Sequence, residues 1–568
     1  MKKILLRLMF LAMLVALLPV HVAQACSAFI VGKDLTADGS TLFGRTEDYP
    51  YAPDGGRHNK NYVVVPAKTY KEGDKLEDES NGFSYPHLAS EMKYTAVYDS
   101  DRGNGSNGDF AAHGFNEAGV SMTATVSATP NDKVLEQDPL VEDGLAEAAM
   151  VDLALPRSKT AREVIENVAK VIEEKGSAEG NIIVAADKNE LWYMEILSGH
   201  QYVAIKFPTN KYAVFANTYY LGHVDLNDKE NVIASKDVEE VAKKADNYKT
   251  DKDGNFMIAK SYGPDEYMER NRSRTYAGIK WMDPQAKVNY DDEAFDLLRE
   301  PTDPNKKYTV HDVIAEQRDR FETLPQYKAD DLVEVGKKID GNVYKYALGN
   351  ENVIDAHVYQ IKPNLPNAFG GVMWLGLAQS RNTPYVPFYG NVEDTYEAFK
   401  NRSTKYDGKS WYWTVWHIDQ MVMKYPEIFG NSIQEKWKAK EAEWDKEQTE
   451  RDAKYANYTD EQAKAAGPEV TKEALERSEK IFKEIKAVEA EMEEKIKKEK
   501  GKDADLVYTG YNKANLLAEA EKGKSADKAS DTKKDSSSQT TWIVIGVLVV
   551  LVAGFFGYKQ FNKKKEEE

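Results

Sequence analysis

Cysteine is almost absent from this chain: Cys26 is the only one in 568 residues. No internal disulfide can form, so stability has to come from ordinary core burial. No H-E-x-x-H stretch occurs, and His113, His200 and His223 are scattered along the sequence. No metal site and no cofactor are therefore expected. Positive charge is in deficit, with 76 Lys and Arg against 94 Asp and Glu, a net charge of −18. Such an acidic chain excludes nucleic acid as a natural partner and favours solubility. Long apolar runs are also missing, except for one near each end. What is abundant is core material: 41% of residues are hydrophobic, with 33 Tyr and 9 Trp. That composition predicts a large packed domain.

The two apolar runs define the expected ends. Residues 1–25 have a basic start (Lys2, Lys3, Arg7), an apolar stretch over 9–20 and the small-x-small close Ala23-Gln24-Ala25. This is the pattern of a cleavable signal peptide. Residues 542–558 are uncharged and mostly apolar, about 25 Å long as a helix, with aromatic residues at both ends. Lys559 and the lysines at 563–565 follow. The positive-inside rule then places residues 559–568 in the cytoplasm and the bulk of the chain outside a single-pass cell-membrane anchor. Residues 522–541, rich in Lys, Ser and Asp, read as a flexible linker.

Cutting after Ala25 makes Cys26 the first residue, carrying both a thiol and a free α-amine. Three readings compete: a buried leftover thiol, a lipidated anchor, or an N-terminal nucleophile with its own general base. The residues before Cys26 lack the aliphatic residue usual in lipoproteins, and an anchor already stands at the other end.

Cys26 opens an apolar strand, and a turn-rich stretch over 34–40 leads to a second strand at 41–45. Further strands are predicted at 94–97, 120–126, 182–186, 191–196, 202–206 and 212–217, and helices at 141–155 and 161–175. Runs of strands with paired helices predict an α+β layered domain over 26–430. A Lys/Glu-rich helical extension follows over 431–521, with an amphipathic stripe between Gly467 and Gly501. Two motif matches are set aside. Gly103-Asn-Gly-Ser-Asn-Gly108 has no strand–helix context for a dinucleotide loop. Asp251-Lys-Asp-Gly254 puts lysines where calcium ligands belong and reads as a surface turn.

After Cys26 come Gly44-Arg45-Thr46-Glu47-Asp48, then His113-Gly-Phe-Asn-Glu-Ala-Gly-Val-Ser-Met-Thr-Ala-Thr125, Ala186-Asp-Lys-Asn-Glu-Leu-Trp-Tyr-Met-Glu-Ile196 and Tyr212-Ala-Val-Phe-Ala-Asn217. In this order they resemble the cysteine dipeptidases of the C69 peptidase family, among the N-terminal-nucleophile hydrolases. The resemblance implies a four-layer αββα sandwich and hydrolysis of a dipeptide or short peptide through a Cys26 thioester. It further implies that Arg45 favours the thiolate, Asp48 orients the α-amine, Asn217 donates to the oxyanion and Arg274 supports the site. Arg270 and Arg272 are near alternatives to Arg274. The stretch Thr125-Val-Ser127 lacks the second oxyanion asparagine of bile-salt-hydrolase relatives. An N-acyl amidase of the penicillin V acylase or bile-salt-hydrolase type, and a non-catalytic lipoprotein or binding protein, remain the alternatives. The sequence leaves a monomer or a homo-oligomer open.

Overall fold

The computed structural model describes residues 26–49, 58–100, 110–329 and 336–507. They fall within one compact unit, Met1–Thr509; a second unit, Gly510–Glu568, lies outside the described residues. So do the expected signal segment at 1–25, the expected linker at 522–541, the apolar run at 542–558 and the glycine-rich stretch at 103–108. Among the described residues no helix is long and apolar enough to cross a membrane.

The strands of the two main sheets begin with β1 (Ser27–Val31), β2 (Thr41–Asp48), β3 (Lys60–Val65), β4 (Tyr94–Asp99) and β5 (Ala111–Phe115). They continue with β6 (Ser121–Ala128), β7 (Gly180–Ala186), β8 (Leu191–Ile196), β9 (Tyr202–Lys206), β10 (Tyr212–Phe215) and β11 (Val232–Ala234). The last are β12 (Val353–Ile361), β13 (Val372–Leu377) and β14 (Val386–Tyr389). One sheet has the order β10-β1-β2-β12-β13-β14, the other β11-β9-β8-β7-β6-β5-β4-β3. Every pairing within them is antiparallel.

Alternation along β7 and β8 shows how the layers stack, because successive side chains leave a strand on opposite faces. Ile182, Val184, Leu191 and Tyr193 face the six-stranded sheet: the Tyr193 ring meets Phe215 edge-on at 5.2 Å, and Phe115 meets Tyr359 at 4.7 Å. Ile183, Ala185, Trp192 and Met194 turn the other way, into a second core under α1 (Glu147–Ala154) and α2 (Ala161–Lys175). On the far side of the six-stranded sheet, α3 (Glu269–Met282) packs on β10, and α4 (Val310–Gln317) on β2 and β12. The result is a mixed α/β fold with two sheets face to face and helices outside each.

Helix α2 starts at Thr160, whose side chain caps Glu163 N, and stops at Gly176 with φ +77°, which a side chain would resist. The helix expected over 141–155 is shorter, beginning only at Glu147. Val141 and Leu145 instead donate their N–H groups to Ser177 O and Gly176 O, so this stretch is tied down as loop.

The Lys/Glu-rich region forms α6 (Ser432–Tyr455) and α7 (Gly467–Lys500), preceded by α5 (Trp411–Lys424). Their apolar side chains, Trp437, Trp444, Ile481 and Ile485 among them, enter the main core. Helix α6 is also anchored by charge. Arg318 reaches both carboxylate oxygens of Glu441 at 2.6 and 2.9 Å, with both side chains buried. Removing one partner leaves a buried charge uncompensated. Glu441→Ala is expected to cost about 3–5 kcal/mol, read as a lower midpoint in urea unfolding followed by circular dichroism.

Candidate active site

Cys26 sits one residue before β1 and is fully buried. Register places Ala28 opposite Arg45 and Ser27 opposite Thr46, so the nucleophile candidate and the Gly-Arg-Thr-Glu-Asp segment are neighbours across one pair of strands. On β2, Arg45 and Glu47 share one face, and Thr46 and Asp48 the other. Gly44 is needed for close approach: a Cβ there would collide with the carbonyl oxygen of His357 on β12.

Arg45 Nη1 lies 3.7 Å from Cys26 Sγ and donates to Thr125 O on the opposite sheet, while Nη2 meets Glu47 Oε2 at 2.9 Å. Glu47 continues to Lys60 Nζ at 2.7 Å, and Lys60 to Asp99 at 2.6 Å. Burial pushes the Cys26 thiol up to about 12; Arg45 pulls it down, and Glu47, Asp48 and Glu147 oppose that pull. A thiol so placed is protonated at neutral pH and needs a base to react.

On the other side of Cys26, Arg274 of α3 donates to the Cys26 carbonyl oxygen and to Ser27 Oγ at 3.1 Å. Its Nη2 reaches Asn217 Oδ1 and Asn271 Oδ1, each at 2.9 Å. Asn271 in turn donates to Asn217 O at 2.6 Å. These bonds consume the acceptor of Asn217 and leave Nδ2 as a buried donor with no partner among the described residues. Arg270 and Arg272, the alternatives, are only half-buried; Arg272 is spent on the carbonyl of Tyr290. Asp48 Oδ2 accepts from Asn350 Nδ2 at 2.6 Å, and Oδ1 has no partner among the described residues. Burial lifts the Asp48 carboxyl to about 7 against the pull of Arg274 and Asn350. Cys26 and the other four predicted residues thus form one connected cluster, in which Asn217 Nδ2 and Asp48 Oδ1 have no partner among the described residues.

Sequence reasoning passed over Glu47, Lys60, Asn271, Asn350 and Glu147. Glu47 stood inside the quoted motif, and Asn271 stands one helical turn before Arg274. Lys60, Asn350 and Glu147 carried no local signal. It also missed the partners of His113. Among the described residues, His113, Asp355 and His357 form the one group of three potential metal ligands, all buried. Their chemistry fits a closed polar cluster better. The rings stack at 3.6 Å, and Asp355 Oδ2 lies 3.2 Å from His113 Nε2 and 3.0 Å from His357 Nδ1. The outer nitrogens reach Tyr359 OH at 2.7 Å and Thr123 Oγ1 at 3.0 Å. No imidazole nitrogen of the group is left to spare for a metal.

The profile of peptidase family C69 matches residues 25–478. The chain is 48% identical over 486 residues to "Probable dipeptidase B" of Streptococcus pyogenes serotype M1, covering 84% of this chain and 95% of that protein. It is 32% identical over 393 residues to "Probable dipeptidase" of Latilactobacillus sakei, covering 69% of this chain and 79% of the relative. Among solved structures, a mutant of the conjugated bile acid hydrolase from Clostridium perfringens is 13% identical, with a TM-score of 0.24, over 62% of this chain and 89% of that one. The chain belongs to peptidase family C69 and is a peptide-bond hydrolase.

Burial lifts the Glu147 carboxyl to about 8 and that of Glu195 to about 7, from an ordinary 4.5. Asp48, near 7, starts from 3.8. Between the ordinary and the raised values the folded protein binds more protons than the unfolded chain, so stability falls as pH rises through that window. His357 and His113 are lowered from 6.5 and act in the opposite sense only below that pH. From about pH 6.5 to 8 the melting temperature is therefore expected to decline, and less steeply in Glu147→Gln. Equal slopes in thermal melts of the two proteins would contradict a protonated Glu147.

Proposed function

We propose that this protein is a membrane-tethered extracellular cysteine dipeptidase with the αββα fold of the N-terminal-nucleophile hydrolases. Removal of residues 1–25 frees the α-amine of Cys26, and residues 542–558 hold the enzyme at the cell surface. The observation that carries the reading is the convergence on Cys26 of a cation at Sγ, the orphan donor Asn217 Nδ2 and the orphan acceptor Asp48 Oδ1. The names of the family relatives support a dipeptide as the substrate.

In this mechanism the α-amine, ordinarily near 7.7–8.0, takes the thiol proton, and Asp48 holds the amine in place. Sγ attacks the peptide carbonyl carbon, and the carbonyl oxygen becomes an oxyanion facing Asn217 Nδ2. Arg274 fixes the Asn217 amide so that nitrogen, not oxygen, points inward. When the C–N bond breaks, the ammonium of Cys26 returns its proton to the leaving amine and a thioester remains. Water, deprotonated by the same amine, attacks the thioester. The acyl group leaves as a carboxylic acid, and Sγ regains its proton.

Two tests follow. In the full-length protein Cys26→Ala is expected to abolish hydrolysis of free dipeptides. Retained activity would end the nucleophile assignment, and turnover confined to N-acylated amino acids would move the enzyme to the acyl amidases. Asn217→Ala is expected to lower kcat by about 10²–10³ with little change in KM. Arg274→Lys, which loses the planar fork, should give a loss in kcat that does not add to that of Asn217→Ala when the two are combined.

A further inference from the structure

One acid beside the nucleophile has no role in that mechanism. Three carboxylates bear on the Cys26 thiol: Glu47, Asp48 and Glu147. Glu47 is consumed by Arg45 and Lys60, and Asp48 by Asn350 and the α-amine expected beside it. Glu147, the first residue of α1, is only 7% exposed. Its Oε2 accepts from Ser127 Oγ at 3.1 Å, two residues beyond the Thr125 carbonyl that receives Arg45. Its Oε1 is buried with no hydrogen-bond partner among the described residues, and the nearby Thr125 hydroxyl favours the ionised carboxyl.

A second acid has been brought beside it. The Glu147 N–H donates to Glu179 Oε1 at 2.7 Å, and the two segments are pinned together by the Leu145–Ser177 bridge and by Ser177 Oγ donating to Leu145 O at 3.2 Å. Glu147 is buried and Glu179 half-buried, and two neighbouring carboxyls repel when both are ionised; that keeps a proton on Glu147 near neutrality, and an arriving cation displaces it. Arg45 is the nearest fixed cation with a bearing on both Cys26 and Glu147, and its hydrogen bonds are already committed.

We propose that Glu147, backed by Glu179, is the subsite for the free α-ammonium of the peptide substrate. The inference rests on the dipeptidase reading and sharpens it. In an aminoacyl group the ammonium nitrogen lies only two bonds from the carbon that sulfur attacks. A carboxylate that reads it must therefore flank the nucleophile, as Glu147 does. An ammonium held there puts the first peptide bond, and no later one, over Sγ. The site then selects unblocked N-termini and releases the N-terminal residue, while length on the leaving side is left to other contacts.

The test compares a free dipeptide with its N-acetyl derivative, in the full-length wild-type protein and in Glu147→Gln. Wild type is expected to favour the free dipeptide by about 100-fold in kcat/KM, and the variant to lose most of that preference by a rise in KM for the free form alone. An unchanged preference in a folded variant would overturn the subsite. If the variant does not fold, calorimetry on full-length Cys26→Ala serves instead. Binding of the free dipeptide and not the acetylated one supports the assignment, and equal binding overturns it. Wild type that cleaves no dipeptide while Cys26→Ala still prefers the free form would sink the proposed activity and leave the subsite standing.

Discussion

A buried guanidinium between two sheets organises this molecule. Arg45 leaves β2 toward the opposite sheet, where it meets the carbonyl of Thr125, and on the way it passes Cys26 Sγ. Desolvating a cation so completely is costly unless partners surround it. Glu47 beside it, and then Lys60 and Asp99, form an alternating row of buried charges that meets the cost. The row runs from Cys26 to the edge strand β3. The spacing of the two sheets and the electrostatics of the thiol are therefore set by the same contacts, and neither can be altered alone.

Arg274 plays the complementary part from outside the six-stranded sheet. It binds main chain at Cys26 and side chain at Asn217, so the start of β1 and the end of β10 are held by one planar group. A lysine, with a single nitrogen on a flexible stem, cannot hold both with fixed geometry. The orientation of an amide that looks symmetrical in outline is decided here, because only its oxygen can face an arginine.

The sequence made the first half of the fold legible and much less of the second. Strands such as 191–196 and the helix at 161–175 were readable because their apolar spacing is regular and their ends carry caps or turns. The strands β12 to β14 were not. Val353–Ile361 is covered on both faces, so it shows no clean alternation, and its Asp355, His357 and Gln360 look like surface residues until their partners are known. The site was legible where residues are close in sequence or quoted within a motif. Glu147, Lys60 and Asn350 enter it from distant segments, and only the packing of the two sheets brings them together. The resemblance pointed to Arg274 with Arg270 and Arg272 as near alternatives, and only the contacts of Arg274 with Cys26 and Asn217 separate it from them. The helix expected from 141 failed to start there because backbone pairing with residues 176–177 outweighed a helical apolar pattern.

The stacked pair His113 and His357 with Asp355 between them has a different significance. Burial keeps both rings neutral, His357 down to about 3, while the two rings hold the Asp355 carboxylate ionised. Imidazole is the one side chain ordinarily tuned to exchange protons near neutrality, and here, next to Arg45 in the register, two of them have been taken out of that exchange. These two rings therefore take no part in proton exchange across the physiological range. Proton exchange in the interior is left to the buried carboxyls Asp48, Glu147 and Glu195 and to the groups gathered around Cys26.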